Sequence, residues 1–218
     1  MKRFHNKVAI VTGAGGGIGS PIARRLASEG ALVVVTDVNE EAAGVVVQGI
    51  EAEGGNATVI AADISNKDSC IALVEKAFGL NGLIDVLVNN AGINRRGNLL
   101  SLSDEDWDIS FTVNLDSMFH LCRAALPHMI AGGGGAIVNT ASQWGLYPAP
   151  NHIAYNTTKA AVAAFTQNLA RLRTGQDSRE RRLPRRNSYA DARSRCQALG
   201  AHDRRPRQNG SVRSHRKA

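Results

Sequence analysis

The sequence predicts an α/β fold built on a doubly wound parallel sheet. Two observations lead to this prediction. Short runs of apolar, mostly β-branched residues alternate with longer stretches of helical character, and most of the helical stretches end at glycines. Strands regularly separated by helices pair in parallel through right-handed crossovers. Such sheets bind ligands at the carboxyl ends of their strands, so the residues that follow each strand are the first candidates for function.

Each element is predicted from its own pattern. Continuous apolar runs, typical of strands buried on both faces, predict strands at 8–11, 32–35, 59–61, 86–88 and 136–138. The stretches between and after them predict helices at 18–28, 40–53, 67–78, 115–130 and 154–170. Ser103 stands before the acidic residues 104–106, which predicts an N-capped helix start at that point.

Charge divides the chain near residue 170. Residues 1–170 hold 11 Lys and Arg and 15 Asp and Glu, whereas residues 171–218 hold 15 and 4. The basic excess therefore belongs to the tail, and the body has the mildly acidic charge of an ordinary enzyme. The three cysteines (Cys70, Cys122 and Cys196) lack metal-ligand spacing and predict free thiols in a reducing compartment. The sequence has no export signal and no apolar run of bilayer length, so we expect a cytoplasmic protein with no membrane contact. Because metal-ligand spacing is lacking, we also expect no metal.

A glycine-rich turn joins the first predicted strand to the first predicted helix. Glycines let the backbone come close to a pyrophosphate, and the N–H groups at a helix N-terminus favour the anion. Many loops are rich in glycine without binding anything, but the position between a strand and a helix favours nucleotide binding. The candidate cofactor contacts in this turn are Gly13, Gly15, Gly17, Ile18 and Gly19.

Acidic residues follow the second and third predicted strands. Asp37 could accept hydrogen bonds from an adenosine ribose and would repel a 2′-phosphate. No Arg or Lys occurs in residues 13–19 or 36–41, so the sequence favours NAD over NADP. Capping of the next helix is the alternative role for Asp37, and the two roles can coexist. Asp63 is a weaker candidate for contacting the adenine.

Tyr155 and Lys159 lie four residues apart on a predicted helix and therefore share one face. A phenol is a poor acid or base at neutral pH, and a neighbouring ammonium stabilises its phenolate. The pair can then move a proton while a cofactor carries hydride. Ser142 follows the last predicted strand, where its hydroxyl could hold a substrate oxygen. The Tyr–Lys spacing alone is common on solvated helix faces, and Ser142 and the glycine turn give it its weight.

Taken together, these residues resemble the short-chain dehydrogenase/reductase family. Its TGxxxGxG turn is matched by Thr12, Gly13, Gly17 and Gly19, and its NNAG segment by Asn89, Asn90, Ala91 and Gly92. Its active-site Asn, Ser, Tyr and Lys are matched by Asn114, Ser142, Tyr155 and Lys159. The matches occur in the family's order and cover about residues 7–170.

The resemblance implies a Rossmann-type catalytic domain over residues 1–170. It also implies hydride transfer between NAD(P) and a small carbonyl or secondary-alcohol substrate, usually in a homo-oligomer. By the same resemblance, the segment Asn90–Ala91–Gly92 lies beside the cofactor and Asn114 anchors a water in a proton relay. Lys159 would also bind the nicotinamide ribose.

Residues 171–218 do not continue the family pattern. They hold 14 arginines, one Val and no Ile, Phe, Met or Trp, so we expect them to be disordered. The resemblance implies a sixth strand and a Pro-Gly loop at this point. Codons for residues 177–191, when read one nucleotide later, permit the string IRVNAVCPGEIHTPM, which has that strand and loop. We therefore infer a frameshift near residues 170–172, in the gene or in its sequencing, which truncates the sheet after about the fifth strand.

Two other functions and several local roles stay open. A non-catalytic nucleotide-binding protein could use the basic tail as an arm for nucleic acid or an acidic partner, although the tail lacks interleaved aromatic residues. The chain could also be too incomplete to fold stably. Within the enzyme class, 3-oxoacyl thioester reduction competes with oxidation of a sugar or secondary alcohol. Trp144 and Tyr147 could line the substrate pocket or pack within a loop, and His152 is expected in a loop near the mouth.

Overall fold

The computed structural model describes residues 2–172, and the predicted tail lies outside these residues from position 173 onward. The five strands are β1 (Val8–Thr12), β2 (Leu32–Thr36), β3 (Asn56–Val59), β4 (Val86–Asn89) and β5 (Ala136–Asn139). The six α-helices are α1 (Gly19–Ser28), α2 (Glu40–Ala52), α3 (Lys67–Asn81), α4 (Asp104–Phe111), α5 (Ser117–Ala131) and α6 (Ile153–Leu169).

All strand pairs are parallel, and the strand order is β3-β2-β1-β4-β5. Strands β2 and β3 lie on one side of β1. The chain then crosses back over the sheet, and β4 and β5 lie on the other side of β1. The connections leave β1 and β4 in opposite directions, which opens a crevice at their carboxyl ends. The predicted doubly wound parallel sheet is confirmed.

The sheet separates two apolar cores. Successive residues of a strand point to opposite faces, so Val8 and Ile10 pack with α3, α5 and α6, whereas Ala9 and Val11 pack with α1 and α2. All five residues of β1 are buried, as the continuous apolar run in the sequence predicts.

Three helices begin at side-chain caps. Asn39, Asn66 and Ser103 each accept a hydrogen bond from the backbone N–H three residues later, at 2.9–3.1 Å. Such a cap typically contributes about 1 kcal/mol to helix stability. The start predicted at Ser103 is confirmed, and the acidic residues that follow it lie in the first turn of α4.

Two predicted element boundaries are wrong. The third strand is Asn56–Val59 rather than 59–61. Past its end the backbone still follows β2, because the Ile60 and Ala62 N–H groups donate to Val35 and Asp37 carbonyls. The helix predicted to start at 115 instead continues from α4 through a π-helical turn, Thr112–Asp116, into α5. Apolar spacing predicts the helix but does not reveal an inserted π-turn.

The α-helices in residues 2–172 are all too short or too polar to cross a bilayer.

Candidate active site

A cleft of about 620 Å³ lies at the carboxyl edge of the sheet. It receives residues that follow all five strands, together with one face of α6. Ten of the residues predicted from sequence line it: Gly13, Gly17, Ile18, Asp37, Asp63, Asn90, Ala91, Gly92, Tyr155 and Lys159. Four other predicted residues, Gly15, Gly19, Asn114 and Ser142, do not line this cleft. The first three lie beside residues that do, and Ser142 follows the lining residue Thr140 by two positions in the chain.

The glycine turn is shaped by positions that a side chain could not occupy. Gly13 has a φ of +62°, and a Cβ there would lie 2.8 Å from Ala91 Cα. A Cβ at Gly19 would overlap the Gly13 carbonyl oxygen and lie 2.8 Å from Ala14 Cα. A Cβ at Gly16, by contrast, would meet no atom within 4 Å, so the outer part of the turn faces open space. The turn therefore offers bare backbone to the cleft.

Asp37 connects the end of β2 to this turn. One carboxylate oxygen accepts a hydrogen bond from the Gly15 N–H at 3.0 Å, and the other accepts from the Asn39 N–H at 3.1 Å. The alternative role of Asp37 as a helix cap is wrong, because Asn39 caps α2. Among the residues that line the cleft, Lys159 is the one with a cationic side chain. The part of the cleft at Asp37 and Asp63 thus carries carboxylate charge, and no Arg is present in the lining.

Thr12 and Asn90 tie the glycine turn to the segment after β4. The Thr12 hydroxyl oxygen accepts from the backbone N–H groups of Asn90 and Ala91 at 3.1 and 3.2 Å. The Asn90 amide donates in return to the carbonyls of Thr12 and Gly13 at 3.0 and 3.2 Å. The two motifs recognised in the sequence are therefore one hydrogen-bonded unit.

Asn114 is buried behind the cleft, in the π-helical turn. Its carbonyl oxygen accepts from the Ile93 N–H at 2.8 Å, and its amide donates to the Ile93 carbonyl at 2.9 Å. The same amide also donates to the Thr158 hydroxyl at 3.2 Å. These bonds join the π-turn to α6 and to the loop after β4.

Lys159 is buried, with 4 % of its surface exposed, and its ammonium donates to the Thr140 carbonyl at 2.6 Å. Its Nζ lies 5.7 Å from the centre of the Tyr155 ring. Burial lowers the pKa of Lys159 below its ordinary value. The structure thus brings the predicted Tyr–Lys pair together at the cleft, with the ammonium close to the phenol ring.

Ser142 lies just past β5 in extended conformation. Its hydroxyl oxygen accepts a hydrogen bond from the Trp144 N–H at 3.2 Å. That bond uses a lone pair and leaves the O–H free to donate to a substrate oxygen.

Sequence reasoning missed several residues of the site. Thr140 lines the cleft and anchors Lys159, and Thr158 holds Asn114. Thr140 could have been found, because it follows β5 directly at the ligand-binding edge. Thr158 carried no signal, since a threonine inside a helix has no distinctive spacing.

Cys70 and Cys122 are buried packing residues with free thiols. Burial raises the pKa of both thiols to about 11, so both are protonated and unreactive near neutral pH. Residues 2–172 contain no group of three or more His, Cys, Asp or Glu that could hold a metal ion.

The sequence model of the short chain dehydrogenase family matches residues 7–175. The chain belongs to this family. Among curated short-chain dehydrogenases and their relatives, it is 42 % identical over 169 residues to cyclohexanol dehydrogenase of an Acinetobacter species, covering 77 % of this chain and 67 % of that protein. It is 36 % identical over 177 residues to a 3-oxoacyl-(acyl-carrier-protein) reductase of Thermotoga maritima, covering 81 % and 72 %.

Solved structures of short-chain dehydrogenases share the fold. A metagenomic short-chain oxidoreductase in complex with NADP has a TM-score of 0.75 and 38 % identity, covering 77 % of this chain and 76 % of that one. NAD⁺-bound xylitol dehydrogenase has a TM-score of 0.75 and 36 % identity, covering 78 % and 65 %. The chain spans about two thirds of the length of several curated relatives that it matches.

Proposed function

We propose that this short-chain dehydrogenase transfers hydride between NAD and a small carbonyl or secondary-alcohol compound. The observation that carries the proposal is the shared cleft. Tyr155 and Lys159 from α6 line the same cavity as the glycine turn and Asp37. A proton-moving pair and a nucleotide cradle thus face one space, as hydride transfer requires.

The residues of the cleft fit a nicotinamide dinucleotide. The backbone of the glycine turn is open toward the cavity at Gly16 and Gly17, where side chains would otherwise exclude a pyrophosphate. Asp37 stands where the adenosine ribose would lie, and Asn90–Gly92 borders the inner end of the cleft. When bound, the nicotinamide ring supplies or accepts the hydride.

Preference for NAD over NADP is part of this proposal. The Asp37 carboxylate would repel a 2′-phosphate, and none of the residues that line the cleft is an Arg. The relatives with known structures include both an NADP complex and an NAD⁺ complex, so the family alone does not decide the cofactor. The charge of this chain's own cleft favours NAD.

The side chains of α6 and the β5–α6 loop would handle the proton. During carbonyl reduction the Tyr155 hydroxyl gives its proton to the substrate oxygen, and in the reverse direction the phenolate takes it back. Lys159 stabilises the phenolate, and Ser142 donates a hydrogen bond to the same substrate oxygen. Asn114, held by Ile93 and Thr158, fixes the π-turn against α6. We assign Tyr155, Lys159, Ser142 and Asn114 to catalysis on these grounds.

We further propose that residues 1–170 form the catalytic domain and that the Arg-rich segment 171–218 is encoded out of frame. The family match ends at residue 175, close to the inferred slip at residues 170–172. Resequencing tests this directly: Leu183 should be encoded by TTG or CTG, Arg181 by a codon that ends in C, and Asp191 by GAT. Other codons, with an early stop in the shifted frame, would instead favour a genuine basic arm. The protein encoded after the frame is restored is called the restored protein below.

The substrate is a small molecule, and two classes compete for it. The resemblance to cyclohexanol dehydrogenase favours a secondary alcohol, whereas the resemblance to the Thermotoga reductase favours a 3-oxoacyl thioester. We also propose that the protein is cytoplasmic, has no membrane partner and, as the family resemblance implies, forms homo-oligomers. We expect no nucleic-acid partner, because the excess of basic residues lies in the segment assigned to the wrong frame.

Turnover tests the proposed function. The restored protein is incubated with NAD and cyclohexanol, and separately with NADH and acetoacetyl thioester, and reduced nicotinamide is followed by absorbance. We expect cofactor-dependent turnover in one assay, with NAD preferred to NADP, and little or none from the 218-residue chain. Absence of turnover with a broad panel of alcohols and ketones, despite cofactor binding, would support a non-catalytic nucleotide-binding protein instead.

A further inference from the structure

His152 is a buried titratable residue that the proposed mechanism does not use. It is 8 % exposed and stands at the N-terminal end of α6, three residues before Tyr155. Its Nδ1 lies 2.8 Å from the side-chain oxygen of Asn94. That oxygen can only accept, so Nδ1 carries the proton and donates it. The bond fixes both the tautomer and the orientation of the imidazole ring.

The fixed imidazole packs on Trp144. The two ring centres are 4.8 Å apart with an interplanar angle of 33°. Trp144 in turn meets Tyr155 edge to face, with ring centres 5.9 Å apart at 81°. Both distances lie in the range where aromatic pairs attract each other beyond simple burial. Asn94, His152, Trp144 and Tyr155 therefore form a continuous row of contacts.

This row joins three separate segments of the chain. Asn94 belongs to the loop after β4, Trp144 to the loop after β5, and His152 to the start of α6. Backbone hydrogen bonds also join the loop after β4 to the start of α6. The Gly97 N–H donates to the Asn151 carbonyl at 2.9 Å, and the Gly97 carbonyl accepts from the Ile153 N–H at 3.3 Å.

The loop that carries Trp144 is also seated firmly on α6. A Cβ at Gly145 would lie 2.7 Å from both the Lys159 carbonyl carbon and the Ala160 nitrogen. The backbone at Gly145 thus touches the turn of α6 that bears Lys159, next to the indole that packs on His152.

We propose that His152 is a positioning residue that holds Trp144 edge-on against Tyr155. The indole then forms a rigid wall beside the acid–base tyrosine, on the side of Ser142, and limits how a substrate can lie there. This inference rests on the proposed function for its catalytic consequence. The arrangement of the rings stands independently of it. Tyr147, which is 79 % exposed, has no part in this wall.

Tryptophan emission tests the arrangement in the 218-residue chain without any substrate. Trp107 is first replaced by Phe, so that Trp144 is the chain's one tryptophan. In that background Asn94→Leu removes the acceptor but keeps the side-chain shape, whereas Asn94→Asp keeps an acceptor. We expect Asn94→Leu and His152→Asn to shift Trp144 emission to longer wavelength and to raise its acrylamide quenching about twofold, with Asn94→Asp close to the background.

Unchanged emission and quenching in Asn94→Leu, with native circular dichroism, would overturn the proposal. Asn94 is an exposed residue, so this variant keeps the test valid even if His152→Asn fails to fold.

Kinetics of the restored protein test the consequence. With whichever of cyclohexanol and acetoacetyl thioester is turned over faster, Asn94→Leu should raise the substrate KM two- to tenfold and leave the KM for NAD or NADH unchanged. If Trp144 emission shifts but the substrate KM does not rise relative to the cofactor KM, the proposed contact between Trp144 and the substrate is refuted. Absence of turnover in the unmodified restored protein would count against the proposed function, while the emission data would still decide the arrangement of the rings.

Discussion

The strands β1 and β2 of the nucleotide-binding half and the edge strand β5 of the catalytic half are all largely apolar but differ in burial. In β1 all five residues are buried, and in β2 four of five are. In β5, the sequence Ala-Ile-Val-Asn is just as apolar, yet its residues alternate between exposed and partly buried. Apolar sequence therefore predicts a strand in both halves, whereas burial depends on what packs around it.

The two halves also differ in how their functional groups are held. On the nucleotide side, function depends on where backbone atoms lie. The absence of a side chain at Gly13 and Gly19 lets the segments after β1 and β4 approach each other closely. On the catalytic side, side chains matter, and Lys159 and Asn114 are held by hydrogen bonds to the Thr140 carbonyl and the Thr158 hydroxyl. Substitutions should therefore act through steric overlap in the first half and through lost polar contacts or charge in the second.

On the nucleotide side, the largest effect is expected from Gly19→Ala, because its methyl group would overlap the Gly13 carbonyl oxygen. Overpacking of this kind costs about 1–3 kcal/mol, which corresponds to roughly 5- to 150-fold weaker NAD binding if the turn shifts to relieve it. Gly16→Ala is the matched control, since its methyl group would meet nothing within 4 Å. Fluorescence titration of the 218-residue chain with NADH measures both variants, and equal affinities would refute the steric account.

Asp37→Ala should change cofactor choice with little effect on the fold. Loss of the carboxylate removes repulsion of a 2′-phosphate and a ribose hydrogen bond, so we expect the ratio of kcat/KM for NAD to that for NADP to fall about tenfold. The restored protein is assayed with both cofactors. A wild-type preference for NADP would contradict the role given to Asp37.

Val88 and Val138 compare a central strand with the edge strand at one point, because they pair directly in the register of β4 and β5. Val88 is 4 % exposed and Val138 is 52 % exposed. Truncation to Ala should lower the free energy of unfolding by about 2 kcal/mol at Val88 and by less than about 1 kcal/mol at Val138.

Urea unfolding of the 218-residue chain measures both costs. In the restored protein, a sixth strand beside β5 would bury Val138, and the cost at Val138 should then approach that at Val88. A cost at Val138 that stays the same in both proteins would argue against the added strand.

A smaller effect is expected from the titration of Lys159. Burial lowers its pKa in the folded protein below its value in the unfolded chain. Between those two values the unfolded chain binds more protons, so the free energy of unfolding contributed by Lys159 rises with pH until about 10.4, the ordinary pKa of lysine. Lys159→Met lacks this dependence. Urea unfolding at a series of alkaline pH values should show wild type gaining stability relative to Lys159→Met, and a flat or falling difference would contradict it.

The parts that could be predicted from sequence are those with local signals. Strands such as Val8–Thr12 follow from continuous apolar runs, the cap at Ser103 from the acidic turn behind it, and the glycine turn from its place between a strand and a helix. The cleft residues that follow strands, Asp37 among them, were found because parallel strands bring their carboxyl ends together.

The parts that could not be predicted depend on contacts between distant segments. The bond from Asn114 to Thr158 spans 44 residues and requires a π-turn that leaves no mark in the apolar spacing. The burial of His152 arises from Asn94 and Trp144, which lie on two other loops. The third strand begins at Asn56, where Asn and Ala have low strand propensity and pairing with β2 determines the structure instead.

The central claim is that the Tyr155 hydroxyl moves the proton while NAD carries the hydride. The most direct measurement is kcat for Tyr155→Phe in the restored protein, with the dissociation constant for NADH measured alongside. Tyr147→Phe is the matched control, because Tyr147 is exposed and outside the cleft lining. The account predicts that Tyr155→Phe loses at least about a hundredfold in kcat, the contribution typical of a general acid–base, and keeps NADH affinity within about twofold, while Tyr147→Phe is unchanged. Near-normal kcat in Tyr155→Phe would contradict it.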